Sequence, residues 1–162
     1  MKVRFGFFWV VLISGIMLVL AVVGWSQGQT QSPIVRISVP EHDGENVGRK
    51  IEVSGSASLP PGTHLWVLVH VTPGFKGFWW PQNEGEVDPK TGTWKVDVTL
   101  GEKSEDIGHD FEIVVITVDE GSNAVLHDKR AIAVVTDKYP PIVMPPTTSA
   151  PVIRKVRKVS DR

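Results

Sequence analysis

Cysteine is absent from the 162-residue chain. Its absence excludes disulfide scaffolds, Cys-based zinc sites, catalytic thiols and a lipidated cysteine. Any folded domain must therefore rest on its hydrophobic core. Beyond residue 25 the chain is also short of helix formers, with 5 Leu, 5 Ala and 1 Met against 20 Val and 9 Ile. Side chains branched at Cβ lose χ1 freedom in a helix and pack well on a pleated surface, so helix bundles, Rossmann folds and TIM barrels are poor candidates. No Gly-x-Ser-x-Gly elbow, phosphate-cradling glycine loop or His-Glu-x-x-His is present. No catalytic residue is assigned, and a non-enzymatic protein is expected.

Metal-binding patterns are equally thin. Three acidic groups occur: Glu41, Asp43 and Glu45; Glu84, Glu86 and Asp88; and Glu105, Asp106 and Asp110. None has the spacing of a calcium loop, so they read as solvated loops, and neither metal nor cofactor is expected. His64 and His70 fall on one face of a strand about 20 Å apart, too far to share an ion. The chain also lacks a basic face. Its net charge of −1 conceals an acidic middle, with 10 Lys/Arg and 17 Asp/Glu over residues 26–151. Phosphate backbones need the opposite sign, so nucleic acid is not an expected partner.

What the chain does have, first, is a run of 21 uncharged residues, 5–25, bounded by Phe5 and Trp25. As a helix it would span about 30 Å, the hydrocarbon thickness of a bilayer. Lys2 and Arg4 precede it and no basic residue follows until Arg36. The positive-inside bias predicts a cytoplasmic N-terminus and an exported remainder. A cleaved signal peptide, with small residues at Gly24 and Ser26, predicts the same export into the periplasm or medium.

Residues 26–32 form a polar spacer, and residues 33–138 read as one globular unit. Residues 139–162 read as a proline-rich linker and a basic tail carrying Arg154, Lys155, Arg157, Lys158 and Arg162. That tail is expected to be a disordered, solubilising end; its interleaved Val152, Ile153, Val156 and Val159 would also suit a strand or helix added to a partner. Within the unit the apolar pattern has period two. Trp94, Val96, Val98 and Leu100 alternate with Lys95, Asp97 and Thr99, and residues 111–118 are apolar on both faces, as in a central strand. Residues 130–136 are expected to close a set of about seven strands, and no stretch suggests a sustained helix. Leu59-Pro60-Pro61-Gly62 and Asp88-Pro89-Lys90-Thr91-Gly92 supply turn chemistry between strands. The expected fold class is all-β, a single antiparallel β-sandwich, with a small barrel as the alternative.

Three stretches carry a resemblance. Residues 88–99 (DPKTGTWKVDVT), then Gly108 to Val115, then Val118-Asp119-Glu120-Gly121-Ser122-Asn123 resemble bacterial immunoglobulin-like repeats. Residues 44–55 (GENVGRKIEVSG) look like the opening two strands of such a module. The resemblance implies an Ig-like sandwich of an envelope or surface protein that works as a spacer, adhesion or binding module, without catalytic residues. A single copy and an extra aromatic loop depart from the repeat pattern, which argues against a pure spacer.

That loop, residues 74–82 (GFKGFWWPQ), holds the candidate binding residues Phe75, Trp79, Trp80 and Gln82. In an extended segment Trp79 and Trp80 must point to opposite sides, one inward and one toward solvent or a partner. Exposed aromatics anchor flat apolar surfaces, whether protein hot spots or sugar rings. The expected partner is another envelope protein or a glycan, alongside the membrane engaged by residues 5–25.

Overall fold

The computed structural model describes residues 31–162, and the expected leader at 5–25 lies outside them. β1 (Ile34–Val39), β3 (Lys50–Ser58) and β6 (Thr93–Thr99) make a three-stranded sheet in the order β1-β3-β6. β2 (Glu45–Val47), β4 (Thr63–Thr72), β5 (Phe78–Glu84), β7 (Asp110–Asp119), β8 (Ile142–Val143) and β9 (Val152–Lys158) make a six-stranded one. Its order is β2-β9-β7-β4-β5-β8. Only β2 and β9 run parallel; every other pairing among the described residues is antiparallel. The mostly-β, two-sheet architecture expected from the period-two pattern is what forms.

The main core lies between the sheets. Val53, Trp94, Val96 and Val98 of the small sheet meet Leu65, Val67, Val69, Phe111, Ile113 and Val115 of the large one. β6 alternates as its sequence does, with Trp94, Val96 and Val98 buried between exposed Thr93, Lys95 and Asp97. The turn before it also follows its chemistry. Asp88 Oδ1 accepts the Lys90 amide at 2.7 Å, and Gly92 takes φ 70° where a side chain would be strained.

The central strands are buried on both faces, six residues in a row in each of β4 and β7. Such strands need a second layer. Trp66, Leu68, Val114, Ile116 and Val118 face away from the small sheet and are covered by Leu126, Trp79, Ile142 and Met144. Left in water, those five side chains would each forgo about 2 kcal/mol, comparable in sum to the net stability of a domain. The cover is α1 (Glu120–Thr136) together with the segment that follows it. Two expectations are corrected here. Residues 130–136 are helix rather than a closing strand, and the unit does contain a sustained helix. Asp119 starts it by accepting the Ser122 amide at 2.8 Å, an N-cap where a turn was expected.

The expected tail is corrected too. β9 lies inside the large sheet, paired with β7 from Asp110↔Arg157 to Val115↔Val152 and with β2 on its other side. Val156 is buried in the main core, and Lys158 is fully buried with its Nζ donating to the carbonyls of Glu102 and Lys103. Asp161 lies 3.1 Å from the same ammonium, so the charge is paired as well as hydrogen-bonded. The proline-rich stretch is held down by β8 against β5 and by Thr148 on Thr117.

Candidate functional site

The topology separates two ends of the molecule. Ile34, where the described chain enters the sandwich, pairs with Ser58, and a four-residue turn leads from Ser58 to Thr63. From Thr63, β4 runs ten residues to Thr72 and the aromatic loop. At about 3.3 Å per step, entry point and loop are about 30 Å apart, at opposite ends.

At the loop end, Trp80 stands opposite Val69 and so faces the small sheet's side, while Trp79 stands opposite Ile142 and faces the helix side. The two tryptophans thus point to opposite sides, as extended backbone requires. Trp79 packs on His70 at 4.9 Å and joins the helix-side cluster. Trp80 meets Phe75 edge-on, centroids 5.5 Å apart and planes at 87°. Phe78 shares Trp80's face and has Val143 as its cross-strand neighbour. Three strands cannot cover the inner face of six, so this corner stays open. Phe75 is 62% exposed, Phe78 44% and Val143 73%.

Of the four candidate residues, the fold brings Phe75 and Trp80 together and turns Trp79 away from them. Gln82 is spent on architecture: its Oε1 accepts the Thr99 amide at 2.9 Å, tying β5 to the edge of the small sheet. Phe78 and Val143 complete the apolar surface. Phe78 carried the same aromatic signal as its neighbours, but Val143 joins only through the β5–β8 pairing, which local sequence does not encode.

A second cluster was not foreseen. Glu84 bridges two histidines, His64 Nδ1 at 2.7 Å and His127 Nε2 at 2.6 Å. His64 Nε2 also lies 3.1 Å from Glu120 Oε1. The cluster joins β4, β5 and α1. Burial works against the charged His64 imidazole, but the bonds to Glu84 and Glu120 outweigh it and raise its pKa above the ordinary histidine value. Beside it, Trp66 Nε1 donates to Asn123 Oδ1 at 2.7 Å, which satisfies both buried groups. His64 and His70 belong to separate arrangements, His70 bonding the Phe78 carbonyl at 2.9 Å. Among the described residues no three His, Asp or Glu side chains are placed to hold a metal ion. Nor, among these residues, is any helix long and apolar enough to cross a membrane.

Comparison with known proteins adds no relative: the chain matches no protein-family model and no curated protein.

Proposed function

We propose that this protein is a non-catalytic interaction module of the bacterial envelope, exported across the cytoplasmic membrane, that docks a partner protein on its open aromatic corner. The observation that carries the reading is the contiguous surface of Phe75, Phe78, Trp80 and Val143 at the end remote from the chain's entry. A leader held in the membrane would leave that end facing outward. Isolated exposed apolar side chains are ordinary, whereas adjoining aromatics rimmed by polar chain mark recognition surfaces. The perpendicular rings of Phe75 and Trp80 present an edge and a face rather than a flat shelf. That shape suits interdigitation with protein side chains better than stacking of a sugar ring.

Strand order supports an immunoglobulin-like assignment. β9-β7-β4-β5 follows the order G-F-C-C′ of that architecture, and β1-β3-β6 follows A-B-E. On this reading α1 is an insertion between the F and G strands. The exported location rests on residues 5–25 with Lys2 and Arg4 before them.

Site-specific photo-crosslinking in native membranes tests the proposal. A photoreactive phenylalanine at position 78 is expected to give a discrete protein adduct, and the same probe at Lys90, at the entry end, none. Identical patterns at both positions, or no adduct at 78, would overturn it.

A further inference from the structure

β6 is the outermost strand of the small sheet, and no strand lies along its far side among the described residues. Ala57 donates to Gly92 and Leu100 to Arg49, so even-numbered residues of β6 bond to β3. The odd-numbered ones turn their N–H and C=O groups outward. Both ends of that edge are taken: the Asp88 amide donates to the Thr93 carbonyl at 2.8 Å, and Gln82 Oε1 accepts the Thr99 amide. Between them Lys95 and Asp97 form a window whose outward backbone groups meet no partner among the described residues.

An unpaired edge is a template for another strand, and its side chains decide which strand fits. Lys95 and Asp97 are both exposed, on the outer face of the sheet. Asp97 stands directly across from Glu52 of β3, a like-charge pair that is unfavourable within the fold. Lys95 is drawn to Glu52 at 3.3 Å, which leaves Asp97 without an ion-pair partner among the described residues.

We infer that this edge pairs with the same edge of a second copy of the chain, antiparallel about a two-fold axis at Val96. Odd residues must meet odd residues, so within the window the axis can fall at Lys95, Val96 or Asp97. An axis at Lys95 sets lysine against lysine and needs Thr93, whose carbonyl is taken. An axis at Asp97 sets aspartate against aspartate and needs Thr99, whose amide is taken. An axis at Val96 sets Lys95 of each copy opposite Asp97 of the other and uses the two free residues alone. Each such pair exchanges two main-chain hydrogen bonds and joins opposite charges, which supplies the cation that Asp97 lacks. The arrangement is isologous and merges the two small sheets into one. It uses no residue of the aromatic corner and stands or falls independently of the partner proposed there.

The test mixes full-length copies carrying two different affinity tags, at about 200 μM in a phosphocholine detergent and low salt, where surface charges are least screened. Capture on one tag is followed by measurement of the other. Wild-type copies should co-purify. Lys95→Asp with itself and Asp97→Lys with itself should each fall by about tenfold or more, since both leave two like-charge pairs across the axis. Lys95→Asp mixed with Asp97→Lys should recover, because every pair is then opposite again. Absence of wild-type association, equal association in the single variants, or no recovery in the mixture would each overturn the inference. If a charge reversal fails to fold, cysteines give a second reading, since the chain has none of its own. Lys95→Cys mixed with Asp97→Cys should form an intermolecular disulfide, as residues opposite each other lie about 5.5 Å apart. Neither variant should do so alone, its two cysteines being about 8–9 Å apart and out of reach. Crosslinking of either variant alone to the extent of the mixture, or none in the mixture, would equally overturn it.

Discussion

Glu84 shows how much one side chain can organise. It leaves the end of β5 between His64 on one flank and His127 on the other, and so fastens α1 to the sheet it covers. Because the folded state raises the pKa of His64, its contribution to stability is fully present below the unfolded value of about 6.5. It is lost as pH rises through the folded value. Glu84→Gln removes the main partner, so the gap in urea midpoint between wild type and variant should be wide near pH 5.5 and narrower near pH 8.5. An equal gap at both would mean that the imidazolium is not what the carboxylate stabilises. Asp119 runs the other way. The Ser122 amide lowers its pKa, so its capping holds above the ordinary carboxylate range and fades as pH falls through the folded value.

At the scale of elements, legibility followed how plainly the pattern of each segment matched its burial. β6 reads directly, since its inward residues are apolar and its outward ones polar. β7 reads as central because both its faces are apolar, and the same fact signals a second layer. That layer was the unread part. α1 buries only Asn123, Leu126 and Ala133, while Val125, Ile132, Val134 and Val135 are exposed. Its outward β-branched residues imitate a strand, and its apolar stripe is too narrow to display a helical period. The available signal was the start, Asp119 followed by Glu120, a capping residue and an acid in the first turn. β9 was hidden for the opposite reason. Arg154 and Lys158 occupy inward positions, so charge masks a period-two strand whose partners make those charges tolerable.

Both hidden elements make strong predictions. Leu126→Ala empties the one α1 side chain in the helix-side cluster and should cost about 2–4 kcal/mol in urea denaturation. A loss below 0.5 kcal/mol, within the ordinary range of surface substitutions, would show that α1 does not brace the sheet. Ending the chain at residue 151 removes a strand flanked on both sides, between β2 and β7. The shortened protein should lose its cooperative urea transition; a transition at the full-length midpoint would mean that β9 is dispensable.

For the whole molecule, the mismatch between three strands and six is what leaves one corner open. The small sheet covers the inner face of the large one only in part, and the strands left over at β5 and β8 carry Phe78 and Val143 into solvent beside Phe75 and Trp80. The corner lies a strand's length from the entry of the chain, at the opposite end of the molecule. The aromatic content of this corner was legible in residues 74–82, whereas its shape depended on pairing with residues 65 positions further along. The most direct test is co-purification from native membranes of full-length wild type and the double variant Phe75→Ser, Phe78→Ser. Both changes are at exposed positions, so the two proteins should melt within about 2 °C of each other, as surface substitutions do. The account predicts that a partner held by the wild type is lost from the variant at that unchanged stability. Retention of the same partner by a folded variant would contradict it.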